Sequence, residues 1–157
     1  MKAFKKIAVI GKYPSKEESV DINNQLIELV DHLRQKSIEL FIEEKTQQQI
    51  NVEGIQAIAL KDIGSCVDLA IIIGGDGTMI GVARNLVDSN TPLIGVNQGR
   101  FGFLADLNTS SMLTNIDSIL NGEYIEDKRM LINTRIIRGD RVVYESLSLN
   151  DIVIKSG

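Results

Sequence analysis

A glycine-rich turn with a single acid follows an apolar run at residues 67–73. Its members are Gly74, Gly75, Asp76, Gly77 and Thr78. Glycine has no Cβ, so this backbone can take positive φ and its N–H groups can approach a phosphate closely. A carboxylate beside phosphates is repulsive unless it binds a metal or takes a proton from a nucleophile. The turn therefore predicts a phosphate site with an acid that does chemistry; the alternative is a tight turn in which Asp76 only caps a helix.

The elements around this turn have the order that positions a phosphorylated ligand. Residues 67–73 are apolar on both faces, which predicts a strand buried on both sides of a parallel sheet. Residues 79–87 are compatible with a helix, so Thr78 would lie where that helix begins and would cap it or contact a phosphate oxygen. A strand, a glycine turn and a helix in this order are the usual ligand site of an open α/β sheet.

A second glycine loop is expected at the same edge of the sheet. Residues 92–96 predict a short strand, and residues 97–102 form the loop after it. Parallel strands share their carboxyl ends, so both loops should meet over one site. Asn97 would contact a ribose or adenine group or hold the loop, and Arg100 would pair with a phosphate or form a surface ion pair.

The remaining pattern predicts a doubly wound, mostly parallel, Rossmann-like sheet. Further strands are expected at residues 6–11 and 37–43, and Lys12 follows the first of them as a phosphate ligand or a solvated lysine. A helix after the capping box at residues 15–18 would bury one face. That face comprises Leu26, Leu29, Val30 and Leu33. Another helix should run to Leu120, capped by Thr109 and Ser110.

The character of the chain changes after residue 122. Strands are expected at 124–137, 142–149 and 152–154, with a hairpin turn at 138–141 and no helix between them. The sequence thus predicts an α/β nucleotide-binding domain at residues 1–122 and the beginning of an antiparallel β domain at residues 123–157, which we expect to be truncated.

Composition excludes several kinds of partner. The chain has 157 residues and a net charge of −4, which argues against binding nucleic acid or an anionic membrane. No apolar run reaches the roughly 18 residues of a membrane span. Cys66 is the only cysteine, which fits a reducing cytoplasm, and His32 is the only histidine, expected to be partly exposed and structural. Phe103 is expected in the core, whereas Phe101 is left open between the core and an adenine.

Two common nucleotide motifs are absent from the sequence. There is no G-x-x-x-x-G-K-[ST], so the chain is not a P-loop protein. A G-x-G-x-x-G fingerprint read from Gly75 would need glycine at position 80, where Ile80 stands.

Three separated motifs together resemble one kinase family. Residues 74–78, Gly-Gly-Asp-Gly-Thr, resemble the signature shared by NAD kinases, phosphofructokinases, and diacylglycerol and sphingosine kinases. Residues 97–104 resemble the N-x-G-x-x-G-F-L element of NAD kinases, and Asn150 with Asp151 resembles their Asn-Glu/Asp element. The resemblance covers essentially the whole chain and about half of a typical family member.

The resemblance implies ATP-dependent phosphorylation of the 2′-hydroxyl of the adenosine ribose of NAD, which gives NADP. It implies that Asp76 is the base, that the glycine amides hold diphosphate, and that Asn150 and Asp151 bind ribose hydroxyls. A divalent ion, most simply Mg²⁺, would bridge the phosphates, with its protein ligands unassigned. The family resemblance also implies a phosphofructokinase-like fold. We expect a cytoplasmic enzyme from the single cysteine, Cys66, and a homo-oligomer at full length. We expect the 157-residue chain alone to be inactive or weak.

Two alternatives remain open at the level of sequence. One is a lipid kinase of the diacylglycerol type, although Pro92 and Leu93 are followed here by Ile94-Gly95-Val96-Asn97 rather than by Gly-Thr. The other is a non-catalytic module that only binds a dinucleotide.

Overall fold

The computed structural model describes residues 4–12, 19–98, 102–105, 107–149 and 151–155. The chain divides into two compact units, Met1–Tyr124 and Ile125–Gly157. The capping box expected at residues 15–18 lies outside the described residues. Whether the two units are separate domains with the predicted roles stays a prediction.

The larger unit alternates strands and helices. In chain order it contains β1 (Lys6–Gly11), α1 (Ser19–Arg34), β2 (Glu39–Glu43), α2 (Glu44–Ile50), β3 (Gln56–Ile58), α3 (Ile63–Cys66), β4 (Leu69–Ile73), α4 (Asp76–Leu86), β5 (Leu93–Asn97), β6 (Leu107–Asn108) and α5 (Met112–Leu120). Short 3₁₀ turns lie at Leu60–Asp62, Val87–Ser89 and Thr109–Ser111. No helix among the described residues is long and apolar enough to span a bilayer.

The described strands of this unit form one six-stranded sheet in the order β3-β2-β1-β4-β5-β6, and every pair is parallel. This confirms the predicted doubly wound α/β fold. The chain leaves β1 toward β2 but leaves β4 toward β5, in the opposite direction along the sheet. The carboxyl ends of β1 and β4 therefore flank the topological switch point, where open α/β sheets leave a crevice for ligands.

Both faces of the sheet are covered, as the apolar runs predict. Ile71 and Ile73 pack on the face covered by α1 and α5, whereas Ala70 and Ile72 pack on the face covered by α3 and α4. All of β4 is buried because alternate side chains point to opposite faces. The predicted face of α1 is fully buried; it comprises Leu26, Leu29, Val30 and Leu33. Each such leucine contributes about 1.5–3 kcal/mol through burial of its side chain.

Residues 44–50 form α2, which is the short helix of the two alternatives expected there. Two local features differ from the sequence-based expectation. The two-residue strand β6 adds an edge that no alternation signalled. The turn before α5 is capped by Asn108 rather than by Thr109 or Ser110. The Asn108 carboxamide oxygen accepts from the Ser111 backbone N–H and from the hydroxyls of Ser110 and Ser111.

The smaller unit contains an antiparallel hairpin of β7 (Ile132–Arg138) and β8 (Arg141–Ser148). The turn expected at residues 138–141 is confirmed, with Gly139 at a φ of 59°. The expectation of strand at residues 124–131 and 152–154 is wrong, because neither segment has a ladder partner among the described residues. A β-strand requires a pairing partner, which the local sequence of a segment does not encode.

Candidate active site

Three strand ends lie side by side at one edge of the sheet. Gly11 pairs with Ile73, and Ile73 pairs with Val96, so the loops after β1, β4 and β5 begin next to each other. The ladder continues one step beyond the strands: the Lys12 N–H donates to the Ile73 carbonyl at 2.8 Å, and the Gly74 N–H donates to the Val96 carbonyl at 2.9 Å. The two glycine loops therefore share one edge, as the parallel sheet requires.

Helix α4 begins at Asp76 rather than at residue 79. Gly75 is its N-cap, with φ −96° and ψ −176°, and its carbonyl accepts from the backbone N–H groups of Thr78 and Met79. The turn does not use the positive φ that its glycines allow, because the positive-φ glycines of the described residues lie elsewhere. Thr78 accordingly lies inside the first turn and does not cap the helix. Asp76, Gly77 and Thr78 therefore form the first turn of α4.

The Asp76 carboxylate joins the two loops. Its Oδ2 accepts from the Phe103 N–H at 2.8 Å, and its Oδ1 accepts from the Leu104 N–H at 3.2 Å. The side chain is half-buried, at the rim of the site rather than in the core. An ionised carboxylate oxygen accepts about two hydrogen bonds, so each oxygen keeps acceptor capacity after holding the loop. Asp76 is therefore a loop clamp that retains the ability to take a proton or face a cation.

Gly102 makes this clamp possible. A Cβ built on Gly102 would lie 2.1 Å from Asp76 Oδ1 and 2.7 Å from Cγ. Any larger residue would push the carboxylate or the loop away. Glycine is required at position 102 because a side chain would clash with Asp76, and not because of the backbone angles. This contact explains the second glycine of the N-x-G-x-x-G-F-L element.

Close packing also fixes the residues after β4. A Cβ on Gly74 would lie 2.7 Å from Thr78 Oγ1 and 3.2 Å from Lys12 Cβ. Lys12 and Thr78 are thus brought together over the end of the sheet, as the sequence suggested for two candidate phosphate ligands. By contrast, a Cβ on Gly75 or Gly77 would meet no atom within 4 Å, so the backbone at these two positions is open to a ligand.

The other candidate residues are placed to different degrees. Asn97 ends β5 and is 9% exposed, which puts it at the shared edge beneath the loops. Arg100, Phe101 and Asn150 lie outside the described residues. Asp151 is exposed in the smaller unit, so its proposed contact with a ribose stays a prediction.

Phe103 corrects one expectation. It was expected in the core but is 83% exposed, whereas Ala105 two residues later is 1% exposed. The reason is that the Phe103 backbone turns inward to donate to Asp76, which directs the side chain away from the sheet. A hydrogen bond to a carboxylate outweighs the preference of this aromatic side chain for burial.

A buried polar network that sequence reasoning missed supports the first of the three loops. Thr46 is fully buried; its hydroxyl accepts from the Gly11 N–H at 2.9 Å and donates to Glu43 Oε2 at 2.9 Å. The same carboxylate oxygen accepts from the Thr46 N–H and caps α2. Glu43 at the end of a strand, with a hydroxyl residue three positions later, was the available signal. The network ties the end of β1, and hence Lys12, to the end of β2.

His32 has the structural role expected of it. Its Nε2 and Asp117 Oδ1 are 2.7 Å apart, and Lys36 Nζ lies 2.6 Å from the same oxygen, so α1 and α5 are linked across the face of the sheet. The hydrogen bond from Lys36 is the largest cause that lowers the pKa of Asp117 below its ordinary 3.8; His32 adds to this, and burial opposes it.

The described residues contain no group of three or more His, Cys, Asp or Glu side chains able to hold a metal ion. Asp76 is the carboxylate that the structure places between the two glycine loops.

A doubly wound sheet with a glycine turn and a clamped acid at its switch point defines an α/β protein of the nucleotide-binding class. Residues 9–124 match the family model described as the ATP-NAD kinase N-terminal domain. The chain therefore belongs to the NAD kinase family.

Individual relatives agree with this assignment. The chain is 39% identical over 154 residues to the NAD kinase of Nitrosomonas eutropha and 37% identical over 155 residues to that of an Azoarcus species, covering 98% of this chain in each case. It spans about half the length of these relatives, 51% of each. The fold is similar to that of yeast NADH kinase, crystallised with NADH, with a TM-score of 0.75 at 13% identity over 93% of this chain and 47% of the yeast chain.

Proposed function

We propose that a protein carrying this chain transfers the γ-phosphoryl group of ATP to the 2′-hydroxyl of the adenosine ribose of NAD, giving NADP and ADP. The observation that carries the proposal is the position of Asp76. Its carboxylate lies at the start of α4, clamped by the β5–β6 loop, beside the switch-point crevice. Family membership supports the reaction, and the position of the carboxylate beside the crevice supports Asp76 as its base.

In the proposed reaction, Asp76 accepts the proton of the ribose 2′-hydroxyl as the oxygen attacks the γ-phosphorus. The new O–P bond forms as the bond from the γ-phosphorus to the bridging oxygen breaks, and ADP leaves. A positioned base contributes about 10²–10⁴-fold to such a step. The acceptor capacity that each Asp76 oxygen keeps beyond the clamp is what this role requires.

The open backbone at Gly75 and Gly77 is proposed to hold phosphate groups, with Gly74 allowing Lys12 and Thr78 to approach them. The positive end of the α4 dipole lies at the same point and favours an anion. Asn97 is proposed to contact the nucleotide from beneath. Asn150 and Asp151 are proposed to bind ribose hydroxyls, on the strength of the family motif alone.

A divalent ion, proposed to be Mg²⁺, fits this site only as a companion of the phosphates. Asp76 is the residue that would contribute a protein oxygen to it, because its carboxylate keeps acceptor capacity toward the crevice. Such an ion neutralises charge on the transferring phosphates.

We further propose a cytoplasmic enzyme that assembles as a homo-oligomer. Cys66 is a free thiol, which suits a reducing compartment. Light scattering on a protein of the relatives' full length checks the assembly; a monomer at micromolar concentration would contradict it.

The function is tested by incubating such a full-length protein with NAD and Mg-ATP and following phosphorus NMR. We expect a 2′-phosphate resonance that depends on both substrates. Binding of NAD without any ATP-dependent product would instead identify a non-catalytic dinucleotide module. A diacylglycerol in place of NAD serves as the acceptor control and should remain unmodified, because the chain belongs to the NAD kinase family.

A further inference from the structure

We propose that Gln25 on α1 is a positioning residue for the phosphoryl transfer, and that it acts through Gln98 on the loop that orients Asp76. The inference deepens the function proposed above and rests on it for the reaction that is affected. Gln25 holds the beginning of the loop after β5, whereas the Asp76 carboxylate holds the end of that loop. The orientation of the acid therefore depends on both anchors.

The first anchor is a hydrogen bond between two side-chain amides. Gln98 directly follows β5, and its Nε2 donates to Gln25 Oε1 at 2.7 Å. The bond is partly buried, which strengthens it because fewer water molecules compete for the two amides. The loop therefore leaves the sheet in a direction that α1 helps to fix.

Helix α1 is a rigid support for this anchor. Leu26, which follows Gln25, and Leu29 are fully buried in the core that α1 forms with the sheet. Near the other end of the helix, His32 Nε2 lies 2.7 Å from Asp117 Oδ1 on α5. A helix with many buried contacts moves little when one surface bond is lost, so loss of the amide bond should displace the loop rather than the helix.

The second anchor lies at the end of the same loop. The N–H groups of Phe103 and Leu104 donate to the Asp76 carboxylate at 2.8 and 3.2 Å. Directly after them, Ala105 packs so closely on β5 that a Cβ on Gly95 would lie 2.9 Å from Ala105 Cα. Because Ala105 is fixed against the strand, a displacement at the beginning of the loop should change the position of the two N–H groups that hold the acid.

The two anchors come from helices on opposite faces of the sheet. Helix α1 packs on the face that includes Ile71, whereas α4, which begins at Asp76, packs on the face that includes Ile72. The loop after β5 is thus bonded to both helical layers at the edge of the sheet where the site lies. Loss of the Gln25 bond should alter the orientation of the carboxylate and leave the glycine turn in place, so that kcat falls and the KM for ATP does not change.

Three variants of α1 test the role of Gln25. Gln25→Met removes the acceptor oxygen and keeps the length and the helix propensity of the side chain. Gln25→Glu keeps an oxygen that accepts from Gln98 Nε2 and is the conservative variant. Asn23→Leu is the matched control, because Asn23 Oδ1 also accepts an amide bond at 2.7 Å, but from Gln49 on α2 rather than from the loop. Thermal unfolding verifies that all three variants fold.

Steady-state phosphorylation of NAD by a protein of the relatives' full length gives the first readout. We expect Gln25→Met to lower kcat by about three- to tenfold, the equivalent of one hydrogen bond, while the KM for ATP stays within about twofold. Gln25→Glu and Asn23→Leu should each keep kcat within about twofold of the wild-type value. A wild-type kcat in Gln25→Met, or an equal loss of kcat in Gln25→Glu or Asn23→Leu, would overturn the role of Gln25.

Hydrogen exchange gives a second readout that does not depend on the reaction. The Phe103 and Leu104 N–H groups should exchange about three- to tenfold faster in Gln25→Met than in the wild-type chain, and at the wild-type rate in Asn23→Leu. If exchange is faster in Gln25→Met but the wild-type protein forms no NADP, the proposed function is wrong and the positioning stands. If NADP forms while Gln25→Met changes neither exchange nor kcat, the positioning is wrong and the function stands.

Discussion

Asp76 and Gly102 are in such close contact that a single added carbon would not fit between them. A Cβ on Gly102 would lie 2.1 Å from Asp76 Oδ1, far inside van der Waals distance. The neighbouring N–H groups of Phe103 and Leu104 hold both carboxylate oxygens. The acid proposed as base is thus oriented by the second glycine loop and not by its own helix alone.

Gly102→Ala is predicted to damage activity through this contact. Relief of the clash requires the carboxylate or the loop to move, which costs about 1–3 kcal/mol of folding free energy. A displaced base of this kind lowers turnover by about 100-fold. Urea unfolding and NAD phosphorylation measure the two effects.

Gly77→Ala is the matched control for the folding measurement. Its Cβ would meet open space within a helix, where alanine is favoured over glycine by about 0.5–1 kcal/mol, so stability should not fall. If both alanine variants unfold at the wild-type urea concentration, the contact between Gly102 and Asp76 does not constrain the loop.

Thr46→Val is predicted to destabilise the larger unit. The variant retains shape but removes the acceptor of the buried Gly11 N–H and the hydroxyl donor to Glu43. A buried donor left without a partner costs about 1–3 kcal/mol. Thr46→Ser keeps the hydroxyl and loses one methyl, about 1 kcal/mol. Denaturant unfolding measures the stability of both variants. If Thr46→Val is as stable as Thr46→Ser, the hydrogen-bond network does not stabilise the fold.

Asp117→Asn is predicted to lower the free energy of unfolding at neutral pH. The variant should also lose less of this free energy than the wild-type chain when the pH falls. The pKa of Asp117 is lowered in the folded chain, mainly by the hydrogen bond from Lys36, so its carboxylate stabilises the fold above the ordinary value of 3.8. That contribution is lost as pH falls below 3.8 and through the lowered pKa. Thermal unfolding of the wild-type chain and the variant is measured from pH 7 downward. The difference between their melting temperatures should become smaller as the pH falls. In a Lys36→Met background, Asp117→Asn should destabilise the fold less than it does in the wild-type chain. An unchanged destabilisation would exclude Lys36 as the group that stabilises the Asp117 carboxylate.

The sheet could be predicted from the sequence because burial on both faces leaves a simple signature. The apolar runs around Ile71 and Val9 locate buried strands, and the face of α1 that includes Leu29 has a clear helical period. Parallel pairing then places the strand ends together, which is why the meeting of the two glycine loops was accessible without coordinates.

Other features depended on contacts between distant residues. Helix α4 starts at Asp76 because the Gly75 carbonyl accepts the first helical bonds, although glycine propensity argues against helix at Gly77. Phe103 is exposed because its N–H is used by an acid 27 residues away. The Thr46 network likewise joins two strand ends that are remote in sequence. The local pattern signals the bonds between Glu43 and Thr46, but not the long-range bonds to Gly11 and Phe103.

The central claim is that Asp76 takes the proton of the attacking hydroxyl, and Asp76→Asn tests it most directly. An asparagine has one acceptor oxygen and an NH₂ group, so it would also lose one bond of the clamp; Gly102→Ala, which disturbs the clamp but keeps the carboxylate, separates the two effects. In a protein of the relatives' full length, we expect Asp76→Asn to lower kcat for NAD phosphorylation by about 10³-fold or more, while the Kd for NAD stays within about tenfold and turnover falls well below that of Gly102→Ala. A kcat for Asp76→Asn equal to or above that of Gly102→Ala would contradict the role of Asp76 as base.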